Sequence, residues 1–292
     1  MIARVFPRRT RATPQDDYAF IGTPGLFIPD DISEVHVSVA FSWDLKDTER
    51  IADEWTRIAP VKIGGPAFNR PGGEFVPGRY LGEGYTITSR GCPNQCWFCS
   101  VWKRENGLKE LEIKDGWNIL DDNLLACSEK HIREVFAMLK RQKHRAVFTG
   151  GFEAKLLKPW HCELLANLNP EQMFFAYDTP DDFPPLEQAS KLLNEYGLLT
   201  RHKARCYVLI GWKGDSMEKA EERLKQVLSL GMFPMAMLYR DERGETEAEW
   251  RKFQRLWARP ALIAVMNKGG FGNDSPSTRK YHQGNHGGGG AM

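Results

Sequence analysis

From Tyr85 onward, short and nearly unbroken apolar runs alternate with amphipathic helical stretches, and no other feature constrains the fold as strongly. Strand-like runs occur at Tyr85 to Ser89 (YTITS), Trp117 to Leu120 (WNIL) and Ala146 to Thr149 (AVFT), then at Met173 to Tyr177 (MFFAY), Cys206 to Ile210 (CYVLI) and Met235 to Tyr239 (MAMLY). Helical spacing links Ile132, Val135, Phe136 and Leu139 behind a Ser128 cap, and Leu186, Ala189, Leu192, Leu193 and Tyr196 before Gly197. It recurs at Ala220, Leu224, Val227 and Leu228 between Ser216 and Gly231, and at Trp250, Phe253, Leu256 and Trp257. Apolar strands that alternate with helices belong to a parallel sheet covered by those helices. Six strands in such a series predict an α/β fold over residues 85–262, built as a partial (β/α)6, TIM-like barrel.

The flanks are less regular. Residues 1–30 mix Arg4, Arg8, Arg9 and Arg11 with Pro, Gly and Asp, show no sustained period, and read as an irregular arm. Residues 31–84 hold a strand-like run at Val35 to Phe41, a helical stretch through Ile51, Trp55 and Ile58, and a second strand-like run, VKI, ending in Gly64-Gly65-Pro66. That is a small N-terminal β-α-β extension. Its last part, Asn69 to Gly84, carries the turn pairs Pro71-Gly72 and Pro77-Gly78 and reads as a linker or covering loop. Residues 263–292 form a Gly-rich tail with too little apolar material to pack, so its His282 and His286 read as solvated.

Composition excludes several classes. Apolar residues make up 41% and charged residues 27% of the 292, as in ordinary globular chains. The 40 Lys and Arg nearly balance the 38 Asp and Glu, and a net charge of +2 gives no general electrostatic footprint for nucleic acid. No run approaches the ~20 apolar residues of a bilayer span, and the opening MIARVFPRRTRATPQDD lacks the apolar core of a signal peptide. The expected address is cytoplasmic, with no membrane partner.

Three of the six cysteines crowd into the stretch Cys92-Pro93-Asn94-Gln95-Cys96-Trp97-Phe98-Cys99, where the first strand of the series ends. Enzymes built on parallel barrels keep their chemistry at that end of the strands. Three thiolates this close can hold three corners of an iron–sulfur cube and leave the fourth iron open. The alternative is a structural zinc knuckle, which needs a fourth ligand; Cys127 or His131 would have to reach back to supply it. A disulfide leaves one thiol over. Cys127, Cys162 and Cys206 stand alone in the sequence and read as small buried hydrophobes.

The C-x3-C-x-aromatic-C loop at the end of the first strand of a six-strand β/α series resembles the radical S-adenosylmethionine (SAM) superfamily, over about Tyr85 to Pro260. The resemblance implies that Cys92, Cys96 and Cys99 hold a [4Fe-4S] cluster, with Phe98 beside the adenine of SAM. It also implies that SAM bound at the open iron is cleaved by one electron to methionine and a 5′-deoxyadenosyl radical, which abstracts hydrogen from a substrate. The resemblance further implies an external one-electron donor of the flavodoxin or ferredoxin type. The SRGCP lead-in and the Gly64-Gly65-Pro66 strand further resemble the branch with an N-terminal cobalamin-binding domain. The D-x-H-x-x-G loop of such a domain does not occur, so the extension reads as a structural cap.

The family's Gly-Gly-Glu segment, which binds the SAM amine, has two competing counterparts. Thr149-Gly150-Gly151-Phe152-Glu153 matches more closely in letters, whereas counting Trp117 to Leu120 as the second strand places Asp121-Asp122-Asn123 there. The second count preserves six strands and favours Asp122 and Asn123, with Gly150, Gly151 and Glu153 on the third strand facing the same cavity. The blander readings are a cap before Leu124 and an ordinary turn. Asp178 is a candidate for a ribose hydroxyl and Gly211 for the adenine slot, while Tyr239 and Arg240 are candidates for the substrate side. Two other functions stay open: a non-catalytic iron–sulfur or zinc-stabilised binding module, and a nucleic-acid-modifying radical SAM enzyme suggested by the early arginines and by Lys140, Arg141, Lys143 and Arg145.

Overall fold

The computed structural model describes residues 1–241, 244–258 and 263. Its first sheet contains β1 (Ile2–Phe6), β2 (Ala19–Ile21), β3 (Glu34–Ser38) and β4 (Val61–Gly64), all parallel, in the order β2-β1-β3-β4. Helix α1 (Leu45–Trp55) joins β3 to β4 and packs Ile51, Ala52 and Trp55 with Val35, Val37 and Val39. The irregular arm expected at residues 1–30 is therefore corrected, because Ile2–Phe6 is an inner strand with Ala3 and Val5 fully buried. Five residues with Arg4 at their centre are too short a run to display alternation, and only pairing with β3 makes the pattern visible. Arg4 and His36, register partners on the face away from α1, meet the linker: Arg4 Nη1 donates to the carbonyls of Gly78 and Arg79, and the His36 ring stacks on Tyr80.

The second sheet contains β5 (Tyr85–Thr86), β8 (Asn118–Ile119), β9 (Val147–Phe152), β10 (Gln172–Tyr177), β11 (Ala204–Ile210) and β12 (Phe233–Leu238). These six strands are parallel and lie side by side in chain order. Between β5 and β8 the chain makes a short antiparallel pair, β6 (Ser89–Arg90) with β7 (Lys109–Glu110), with the single helical turn α2 (Val101–Arg104) inside it. Asn118–Ile119 is thus the second strand, and the α/β class expected from the sequence is what the chain shows.

The connecting helices are α3 (Glu129–Lys140), α4 (Pro159–Leu168), α5 (Phe183–Glu195), α6 (Met217–Ser229) and, after the last strand, α7 (Ala248–Trp257). Right-handed crossovers between neighbouring parallel strands place successive helices on one face of the sheet. Accordingly Phe136, Leu165, Leu193, Leu224 and Trp257 share a core with Phe148, Phe175, Cys206, Val208 and Ile210. Two predicted caps form: Ser128 Oγ accepts from the N–H of His131, and Ser216 Oγ from that of Lys219. Ile263 also lies in this core, 2% exposed, and the rest of the tail expected at 263–292 falls outside the described residues. No helix among the described residues is long and apolar enough to cross a membrane.

One buried histidine gives the fold an acid limb. His161, 2% exposed on α4, uses Nδ1 to accept from the N–H of Lys158, and its Nε2 has no partner among the described residues. Burial, with Lys158 adding to it, pulls this imidazole down to about 4 from an ordinary 6.5. Between those values the unfolded chain binds a proton that the folded chain refuses, so stability falls as pH drops through that window. The loss by pH 4 is expected to be on the order of 2 kcal/mol, and His161→Gln, which keeps an acceptor, should flatten the thermal-melting profile across it.

Candidate functional site

Because the six strands are parallel and consecutive, their carboxyl ends share one edge, and the cysteine loop leaves the first of them. The β6–β7 pair closes this loop at its base. Gly91 begins it with φ +84, and a Cβ there would lie 2.0 Å from the Gly107 carbonyl oxygen, so only glycine fits.

Two adjacent carboxylates after β8 hold the loop in place. Asp121, 1% exposed, accepts from the Thr88 N–H (2.6 Å), the Thr88 hydroxyl (2.5 Å) and the Ser89 hydroxyl (2.8 Å). Asp122 accepts from the Gly91 N–H (2.8 Å) and from Arg104 Nη2 (2.7 Å). Both oxygens of Asp122, the residue favoured from sequence for the SAM ammonium, are thus engaged in stapling one end of the loop to the other. Asn123 opens a short 3₁₀ turn at Leu124–Ala126 without a side-chain capping bond, so the capping reading is not realised.

Asn123 instead points into the site. Its Nδ2 donates to Cys92 Sγ (3.3 Å) and to Glu153 Oε2 (2.6 Å), and its Oδ1 is buried without a partner. Glu153, directly after β9, also accepts from Asn94 Nδ2 (2.9 Å) and pairs with Lys155 Nζ (2.6 Å). Burial pushes the Glu153 carboxyl up, but Lys155, Asn123 and Asn94 together outweigh it and hold the group below the ordinary glutamate range. The two segments that competed in the sequence therefore meet through the Asn123–Glu153 hydrogen bond. They are brought together by Gly150, where a Cβ would lie 2.2 Å from the Asp121 carbonyl oxygen.

The three loop cysteines are half-buried and unpaired. Backbone N–H groups approach two of their sulfurs, Asn94 toward Cys92 (3.5 Å) and Val101 toward Cys99 (3.4 Å). Burial raises the Cys96 thiol above its ordinary value, with Cys99, Cys92, Asp178 and Asp182 adding to the effect, and burial also raises that of Cys99. Cys127 and Cys162 are buried and pushed up to about 11 and about 12, and Cys206 is raised well above the ordinary range, as inert packing thiols should be.

The other candidates line the same edge. Asp178 follows β10, and burial, with Asp182 beside it, pushes its carboxyl up to about 7. Gly211, at φ +76 after β11, donates its N–H to Asp215, which pairs with Arg223, and that guanidinium lies 4.2 Å from the centre of the Trp212 ring. The Trp97 ring packs against Phe98 (5.3 Å), Tyr239 (5.6 Å) and Trp212 (6.3 Å), which ties the loop to two strand ends. Trp97 and Trp102 are 54% and 39% exposed and form a rim. Tyr239 faces the loop, whereas Arg240 turns to the connection between β3 and α1 and stacks over Trp43 (4.4 Å).

The sequence does not single out Asn94, Arg104 or Lys155 as site residues, and offers Asp121 only within the Asp121-Asp122-Asn123 segment. Asn94 sits inside the cysteine spacing as an apparent spacer, and the others act through partners 18 or more residues away or through Glu153, which no local pattern encodes. Among the described residues, no three His, Cys, Asp or Glu side chains converge on one point as ligands of a single ion would. The chain matches no protein-family model and no curated protein.

Proposed function

We propose that this chain is a radical SAM enzyme, with Cys92, Cys96 and Cys99 as the ligands of a [4Fe-4S] cluster and the six-stranded sheet as a partial (β/α)6 barrel. The observation that carries the reading is the set of three unpaired, half-buried thiols on a loop at the end of the first strand, with N–H donors directed at two of their sulfurs. A cube takes each thiolate on a different iron, so it does not ask the sulfurs to converge as one zinc ion does. N–H contacts to cysteine sulfur are also a recognised influence on cluster potential, which suits the donor set to this group.

Bound there, the cluster supplies an open iron and an electron, the chemistry by which SAM is reductively cleaved for hydrogen abstraction. The residues around it do the rest. Glu153, tied through Asn123 to Cys92, is placed to accept from the SAM ammonium in exchange for Lys155, a partner 56% exposed, whereas the Arg104 partner of Asp122 is 17% exposed. Asn123 carries a buried free carbonyl beside Cys92 and can take a second donor from the same group. Phe98 and Trp212 offer flat apolar surface for adenine and Asp178 a nearby partner for the ribose hydroxyls, whereas Gly211 opens no slot, since a Cβ there would meet Leu238 at 2.8 Å and Trp250 at 3.0 Å. The rim of Trp97 and Tyr239 limits water at a reactive centre. The electron is to be delivered by an external flavodoxin- or ferredoxin-type donor.

Protein reconstituted with iron and sulfide without oxygen should take up both in equal amounts and, with dithionite and SAM, release 5′-deoxyadenosine. Cys96→Ala should stop that release. Undiminished release from the variant, or iron-free protein after reconstitution, would show the assignment to be wrong.

A further inference from the structure

The face of the second sheet turned away from the helices carries ordered rows of side chains. Register aligns Phe174, Arg205 and Phe233 across β10, β11 and β12, then Ala176, Tyr207 and Met235, then Leu209 and Met237. Phe174 and Leu209 are buried but stand outside the helix-side core, and Met237 is 44% exposed. The Phe174 and Tyr207 rings stack at 4.8 Å. From Arg205 to Gly211 this face runs six residues, about 20 Å at strand spacing, and it ends at Tyr239 against the cysteine loop.

Arg205 is the anomaly on that apolar face. Its guanidinium lies between the Phe174 ring (5.8 Å) and the Phe233 ring (5.6 Å), and its Nε is buried without a hydrogen-bond partner. Among the described residues neither Arg205 nor Arg11 forms an ion pair, although Glu171 and Tyr207 are near enough to act on Arg205 electrostatically. Burial lowers the Arg205 proton affinity, and the positive charge of Arg11, on the exposed loop after β1, lowers it further. A guanidinium held between two rings with an orphaned, buried donor, with a second cation near enough to repel it, is costly unless an anion joins it.

We propose that this face binds an organic anion, a carboxylate or phosphate ester on a flat apolar body, with its anionic group on Arg205 and Arg11 and its body along Tyr207, Phe233, Met235 and Met237. A planar oxyanion matches the guanidinium fork, and the stacked rings match a flat body. As an anion site this stands without the cluster; as the substrate side of a radical enzyme it rests on the function proposed above.

Titration calorimetry on the full chain with 2-naphthylacetate and its neutral amide separates charge from apolar contact. The acid is expected to bind about tenfold more tightly than the amide, and Arg205→Met should remove that preference while leaving amide binding in place. Arg11→Gln, on an exposed loop where folding is not at stake, should weaken the acid alone by about threefold. Equal binding of acid and amide, binding of neither, or an acid affinity untouched by both substitutions overturns the proposal. Cys96→Ala should still bind the acid: retained acid binding with undiminished 5′-deoxyadenosine release means that only the radical SAM reading has failed, whereas release that depends on Cys96 with no preference for the acid means that only the anion site has failed.

Discussion

Asp121→Ala is expected to lower the unfolding free energy by about 4 kcal/mol, among the largest effects available at a single side chain in this chain. The carboxylate is 1% exposed and receives the N–H and hydroxyl of Thr88 and the hydroxyl of Ser89. Removing it strands three buried donors at about 1–3 kcal/mol each, partly offset by a water entering the gap. Thr88 also contacts His131 Nε2 at 3.3 Å, so the disturbance reaches α3. Burial raises the Asp121 carboxyl above the ordinary aspartate value in spite of these bonds, so the ionised form carries a desolvation cost in the folded state. For that reason Asp121→Asn, neutral and of the same shape, should lose less than Asp121→Ala. Urea unfolding measures both: the midpoints should fall in that order with the slope unchanged, and equal midpoints for alanine and wild type would remove Asp121 from any anchoring role.

The parallel sheet was legible because its signal is local. An apolar run such as CYVLI at Cys206 to Ile210 is buried on one side by helices and half-covered on the other, and its letters carry that environment directly. Strand β1 was not legible, because Ala3 and Val5 acquire their burial only when β3 and α1 arrive from thirty or more residues away. The cysteine loop shows the same division. The spacing of Cys92, Cys96 and Cys99 is readable along the chain, whereas the preference proposed for Glu153 over Asp122 rests on the partners each carboxylate holds. Those partners are Gly91 and Arg104 on one side and Lys155 on the other, contacts that depend on how β8 and β9 align. Arg205 is the converse case: inside its strand it looks like an ordinary outward charge, and only the register with Phe174 and Phe233 shows that its surroundings are apolar.

Gly150→Ala should disrupt the site more than Gly151→Ala, although Gly151 has the less permissive backbone. A Cβ on Gly150 would lie 2.2 Å from the Asp121 carbonyl oxygen and 2.9 Å from both the Asp121 nitrogen and the Leu120 carbonyl carbon. All three are backbone atoms, so no rotamer change relieves the clash and β8 must move away from β9. That movement separates Asn123 from Glu153 and pulls both carboxylates from the loop they anchor, at an expected cost of about 3 kcal/mol or more. Gly151 sits at φ +94, yet a Cβ there meets only the Phe174 carbonyl oxygen at 3.8 Å. Its alanine variant pays backbone strain of about 1–2 kcal/mol and leaves the strand spacing intact. Melting curves should rank the two variants in that order. Iron retention after reconstitution should be lost in Gly150→Ala and kept in Gly151→Ala, because only the first displaces the residues around Cys92; the opposite ranking would mean that local strain, not the approach of the two strands, governs the geometry of the loop.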